Sequence, residues 1–196
     1  MQTFNQLVNN TNIPVLEYNF YLRAVRRGGD WMDMEAAVVN LKDCTKVFNE
    51  HGVKSWLQFG TLLGAIRDGC LIPHDKDVDV GVFRKDTMLL VDVFKELCKD
   101  YNFEFIRNVC LDSTVSLMRN DEYIDFYVFN ECAIWYMCVM IPEVCIFKDY
   151  QLNDLQTIRF LGMDFNVPKD YEDMFVKWYG DDWRVPIKEK SAYYKD

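Results

Sequence analysis

Nowhere in its 196 residues does the chain approach the roughly 18 consecutive apolar positions that a membrane-spanning helix needs, so no span is expected. The first 25 residues also lack the basic opening and apolar stretch of a secretory leader. Basic residues are in deficit, with 22 Lys and Arg against 31 Asp and Glu and a formal charge of −9. Binding a polyanion relies on counterion release by a basic surface, so a nucleic-acid partner is excluded from the expectations. The seven cysteines, at 44, 70, 98, 110, 132, 138 and 145, are odd in number and contain no C-x-x-C pair. Neither a disulfide framework nor a zinc ribbon follows, and the expectation is buried free thiols in a reducing, cytoplasmic setting. Internal repeats, linkers and low-complexity segments are absent as well.

What the chain does have is material for a core. Half of it is hydrophobic and 15% is aromatic, which excludes a disordered segment and a fibrous repeat. The length favours one domain. Residues 1–30 read as an arm packed on that domain, ending in Arg26-Arg27-Gly28-Gly29-Asp30, and residues 31–196 read as a single catalytic domain with hardly anything attached.

From Asp33 to Glu50 the apolar positions Met34, Ala37, Val38, Leu41, Cys44, Val47 and Phe48 recur at the helical period, with His51-Gly52 as the stop. Lys54 to Phe59 predicts a short strand, Gly60-Thr61 a turn, and Leu62 to Ile66 a short helix. Asp77 to Phe83 alternates strictly, setting Val78, Val80 and Val82 on an apolar face and Asp77, Asp79 and Gly81 on an acidic one. Asp86 is placed to cap a helix reaching Tyr101. "FEFIRN", "STVSLMR" and "YIDFYVF" predict strands, the last two joined by a hairpin at Asn120-Asp121-Glu122. Ala133 to Cys145 is ambiguous, "QTIRF" and "MDFNVP" predict strands around Gly162, and a last helix runs from Asp170 to Tyr179 with Gly180 as its stop. The sum is an α/β domain, a mixed sheet flanked by helices.

The surplus of acid has one notable concentration. Asp75, Asp77 and Asp79 alternate, and residues two apart on a strand share a side with Cα atoms about 6.6 Å apart, so their carboxylates can converge on Mg²⁺ or Mn²⁺. Aspartate is poor in strands, and like charges on one edge repel unless a cation neutralises them. Upstream, Gly60 and Thr61 lie between an apolar strand and a helix. There a glycine admits a phosphate to the backbone, a hydroxyl can bond it, and the helix start offers free N–H groups. Joined to a D-x-D strand, this is the signature of the nucleotidyltransferase fold.

The match extends further. "WLQFGTLLGAIRDGCLIPHDKDVDVGVF" (Trp56 to Phe83) resembles the central motif of the LicD/fukutin-related family, W-L-x-x-G-T-L-L-G-A-x-R-x-x-x-x-I-P-W-D-D-D-[IV]-D-[IV]. "YIDFYVF" resembles the later h-D-h-[YF] strand, and "VPKDYEDMFVKWYGDDWRVP" the C-terminal "VP…L…YG-D-W…P" segment, so the resemblance runs from Asp33 to Pro186. His74 stands where the family usually has Trp, and Lys76 where it often has Asp.

The resemblance implies transfer of a phospho-alcohol, phosphocholine or a phospho-polyol such as ribitol phosphate, from a CDP-linked donor to a glycan hydroxyl, with release of CMP. On this reading Asp77 and Asp79 hold Mg²⁺ or Mn²⁺, and Asp125 enters the same cleft as third ligand or as base for the acceptor. Gly60, Thr61, Arg67 and Asp75 are the expected substrate-binding residues, Arg67 as a phosphate clamp. Arg119 is expected to pair with Asp121 or Glu122, and Trp56 and Tyr127 are the candidates to face a base or a choline head group. Two rivals follow from the same residues: transfer of a whole nucleotide to a protein or small molecule, and a non-catalytic glycan-binding module of the same fold.

Overall fold

The computed structural model describes residues 31–108, 114–133, 135–138 and 146–186. The arm read over 1–30 lies outside them, as does most of the ambiguous segment, of which Ala133 and a strand at Trp135–Cys138 fall within.

Helix α1 (Met34–Glu50) begins at Asp33, whose carboxylate accepts the N–H groups of Glu35 and Ala36 at 3.0 and 3.1 Å. Strand β1 (Ser55–Leu57) and helix α2 (Phe59–Arg67) follow. The expected turn at Gly60-Thr61 is not one: both residues belong to the first turn of α2, because the chain reverses one residue earlier, at Phe59, with φ +40°. Strand β2 (Val78–Phe83) leads through a short 3₁₀ turn into α3 (Thr87–Asp100). Asp86 stands at the start of α3 without a capping bond from its side chain, and the Thr87 hydroxyl donates instead to the Arg84 carbonyl at 2.5 Å.

Strands β3 (Glu104–Asn108), β4 (Thr114–Arg119) and β5 (Glu122–Cys132) come next. The β4–β5 hairpin closes on two residues, Asn120 and Asp121, both with positive φ, and Glu122 already belongs to β5. Then come β6 (Trp135–Cys138), β7 (Ile146–Lys148), α4 (Asp149–Asn153), the hairpin β8 (Gln156–Phe160) and β9 (Met163–Val167), and α5 (Tyr171–Tyr179).

The main sheet runs β1-β2-β5-β4-β3, with the far end of β5 pairing with β6 and β6 with β7. Among the described strands only β2 and β5 pair in parallel, so the sheet is mixed. Their register sets Asp79 opposite Asp125 and Gly81 opposite Tyr127. Alternation then separates two faces. Val78, Val80, Val82, Ile124, Phe126 and Val128 meet α1 and α3, with the Phe48 and Phe126 rings stacked at 5.3 Å and Phe94 against Phe126 at 5.3 Å. The other face carries acid at one end and, at the other, a second apolar cluster of Trp56, Phe83, Phe129, Tyr136, Phe147, Leu152 and Met174. Of the acidic face read from the sequence, Asp79 and Gly81 are covered too, since every residue of β2 is buried, while Asp77 just before the strand is half-buried.

Arg119 pairs with Asp43 at 2.7 Å, donates to Asn40 and to the Tyr101 carbonyl, and lies over the Phe103 ring. This corrects the expected pairing with Asp121 or Glu122: the Arg119 side chain reaches Asp43 and Asn40 of α1 instead, while the Glu122 carboxylate accepts the Asp33 N–H at the start of that helix. The thiol expectation is corrected as well. Cys44, Cys70, Cys98 and Cys132 are free, but only Cys44 is buried, and Cys132 is exposed. Burial, and then Glu104, push the Cys98 thiol up to about 12. Among the described residues, no helix is long and apolar enough to cross a membrane.

Candidate active site

The site is assembled where the start of α2 meets the middle of β2. The Gly60 N–H donates to Asp79 Oδ2 at 3.2 Å, the Asp79 N–H donates to Thr61 Oγ1 at 2.8 Å, and the Gln58 N–H donates to the Asp79 carbonyl at 3.1 Å. Three bonds to three residues of the stretch 58–61 thus fix one aspartate, which is 6% exposed. A Cβ at position 60 would collide with the Asp75 carboxylate, so any residue larger than glycine there has to displace that side chain from the cluster.

Around Asp79 the sequence-predicted carboxylates gather. Asp75, Asp77 and Asp79 each offer an oxygen within 4.8 Å of the others. The Tyr123 hydroxyl donates to Asp77 Oδ2 at 3.4 Å, and the Lys76 N–H donates to Asp75 Oδ1 at 3.0 Å. Asp125, 3% exposed, is Asp79's neighbour across the parallel pair, and the Ser116 hydroxyl donates to its Oδ1. Burial, then Asp77, Asp75 and Asp125 in that order, push the Asp79 carboxyl well above the usual aspartate range, and the Gly60 N–H opposes them. Hard oxygen donors converging on a buried, mutually repelling centre fit a divalent cation such as Mg²⁺ or Mn²⁺.

Arg67 lies at the opposite end of α2 from Gly60, about 10 Å along the helix by its rise. Its guanidinium grips both oxygens of Asp68, at 2.9 and 2.7 Å, and reaches the Trp183 carbonyl at 3.5 Å. Trp56 cannot face a ligand, being 2% exposed with its Nε1 donating to Gln58 Oε1 at 2.9 Å, whereas Tyr127 is half-buried.

Ser116, Tyr123 and Gln58 escaped the sequence reading. A two-residue turn at Asn120-Asp121 would have placed Ser116 opposite Asp125 by register alone, and the three-residue turn read from the sequence hid it. Thr61 turns out to hold Asp79 by its backbone. Thr61→Val leaves that buried N–H without its acceptor, and Mn²⁺ affinity is expected to fall about tenfold or more while Thr61→Ser retains it. Titration followed by Mn²⁺ electron paramagnetic resonance checks this, and equal affinities in the valine variant and the parent would refute it.

A mixed sheet with a helix start fastened to the aspartate of a strand, and two further aspartates on the approach to that strand, defines the nucleotidyltransferase class of fold. The overall likeness agrees: the solution structure of the antibiotic-resistance factor ANT(2'')-Ia superposes with a TM-score of 0.53 at 13% identity, over 78% of this chain and 75% of that one. The family profile "LicD/FKTN/FKRP, nucleotidyltransferase domain" matches residues 52–170, and the chain belongs to this family. Among its relatives, an uncharacterised protein of Rickettsia prowazekii is 25% identical over 66% of this chain and 48% of its own length. The ribitol-5-phosphate transferase FKTN of Mus musculus is 28% identical over 76% of this chain and 33% of its own length. The chain thus spans between a third and about half of these relatives.

Proposed function

We propose that this chain is a divalent-metal-dependent transferase that moves a phospho-alcohol, a phospho-polyol such as ribitol phosphate or else phosphocholine, from a CDP-linked donor to a carbohydrate hydroxyl, releasing CMP. The observation that carries the reading is the convergence of Asp75, Asp77 and Asp79, with Asp125 registered beside Asp79. Membership of the family and the printed activity of the FKTN relative support it. Asp77 and Asp79 hold the ion, with Asp125 as third ligand or as base. A bound Mg²⁺ or Mn²⁺ neutralises charge on the phosphate oxygens.

The acceptor oxygen attacks the phosphorus that carries the alcohol. A new P–O bond forms, the anhydride P–O bond to CMP breaks, the hydroxyl proton passes to a carboxylate, and CMP leaves with the electron pair. The start of α2, where Gly60 and Thr61 sit, faces the donor side together with Asp75, whereas Arg67, engaged by Asp68 at the far end of the helix, is not its phosphate clamp. Residues 31–196 act as one catalytic domain.

The test is incubation with Mn²⁺, a carbohydrate acceptor mixture and CDP-ribitol, CDP-choline, CTP or ATP. Release of CMP with a CDP-alcohol, coupled to a mass gain on the acceptor, is expected. Pyrophosphate from CTP or ATP without CMP would assign nucleotidyl transfer instead.

A further inference from the structure

On the site face of β5 the residue following Asp125 is Tyr127, one strand repeat or about 6.6 Å further along. Its ring meets that of Phe59 edge-on, with centroids 4.9 Å apart and an interplanar angle of 80°. Phe59 in turn meets Trp178 of α5 at 4.9 Å. These three rings, from β5, α2 and α5, are half-buried, whereas Trp56, Phe83, Phe129 and Phe147 behind them are buried.

A second, independent observation concerns the backbone. Phe59 holds φ +40°, a strained region that bulky residues seldom occupy. The next residue is Gly60, whose N–H reaches Asp79 Oδ2. One strained residue therefore links the ring cluster directly to the hydrogen bond that fixes the central carboxylate.

We infer that Phe59, Tyr127 and Trp178 form the subsite for the heteroaromatic base of a nucleotide donor, beside the carboxylates that manage its phosphates; this rests on the CDP-donor reading above. A base is flat, presents a π-face and stacks on aromatic side chains, and a polyol does neither. The separation also suits a nucleotide, in which a ribose and its C5′ link stand between base and phosphate.

The experiment is isothermal titration of the full chain, in saturating Mn²⁺, with CDP, inorganic pyrophosphate and phosphocholine, repeated on Tyr127→Leu and Trp178→Leu. CDP is expected to bind the parent at least about tenfold more tightly than pyrophosphate, the effect of one base stack. Both variants are expected to lose that advantage while binding pyrophosphate as before, which also certifies that they are folded. Variants that keep the CDP advantage, or a parent that binds CDP and pyrophosphate alike, would overturn the base subsite. So would variants that lose phosphocholine binding but retain CDP, assigning the rings to an alcohol head group. Failure of both CDP and pyrophosphate to bind the parent with Mn²⁺ would overturn the nucleotide-donor reading itself.

Discussion

Asp79→Asn is expected to abolish transfer, by at least about a thousandfold, while leaving a folded protein that is more stable than its parent when metal is absent. The loss corresponds to the several kcal/mol of charge stabilisation that a bound divalent ion contributes to a phosphoryl-transfer transition state. The gain arises because the ionised carboxylate is buried beside Asp75, Asp77 and Asp125, and an amide removes that repulsion while its oxygen still accepts the Gly60 N–H. A pH dependence accompanies it. Asp79 has a folded-state pKa above its unfolded value, so the native state holds the proton more tightly. The associated stability is fully present at low pH and is lost as pH rises from the ordinary aspartate range, about 4, through the raised value. Thermal melts in EDTA are therefore expected to show the parent falling below the asparagine variant as pH increases, with Mn²⁺ closing the gap in the parent alone. Parallel melting curves, or retained CMP release in the variant, would remove Asp79 from the metal site.

Gly81→Ala is expected to cost about 3 kcal/mol of stability. A Cβ at this position would lie inside the indole of Trp56. That ring cannot give way, because Phe83 at 4.7 Å and Phe129 at 5.3 Å flank it and Gln58 holds its Nε1. The strand pairing sets Trp56 directly opposite Gly81, so the missing side chain is the space the indole occupies. Urea unfolding measures the effect, and a change below about 1 kcal/mol would show that the indole has room to move.

The pattern of the chain exposed much of this architecture, and the failures share a cause. Helix α1 was legible because its period is unbroken and Asp33 stands at its start. Strands β2 and β5 were legible by alternation, although of the three aspartates only Asp79 lies in β2, Asp75 and Asp77 standing in the segment that leads into it. What alternation did not convey is what covers a face. Asp77, Asp79 and Gly81 read simply as an acidic face, yet the indole opposite Gly81 and the bonds from Gln58, Gly60 and Thr61 bury Gly81 and Asp79 and leave Asp77 half-buried. Gly60-Thr61 read as a turn because glycine and a hydroxyl residue ordinarily form one, and the actual reversal fell on Phe59, a residue with no turn propensity of its own. Partners brought from elsewhere, such as Ser116 for Asp125 and Asp43 for Arg119, depend on register and helix docking, which no local pattern contains.

The side-by-side placement of Asp79 and Asp125 bears on how the chain selects one fold. Parallel β2 and β5 have no tight turn to set their alignment, and their valine-rich faces would tolerate several. Sliding either strand by one residue would turn its aspartates into the layer of Phe48, Phe94 and Phe126, where a charge has no compensation. The carboxylates proposed to bind the metal thus also act as an alignment key, penalising every odd slip of the central strand pair before any ligand is present.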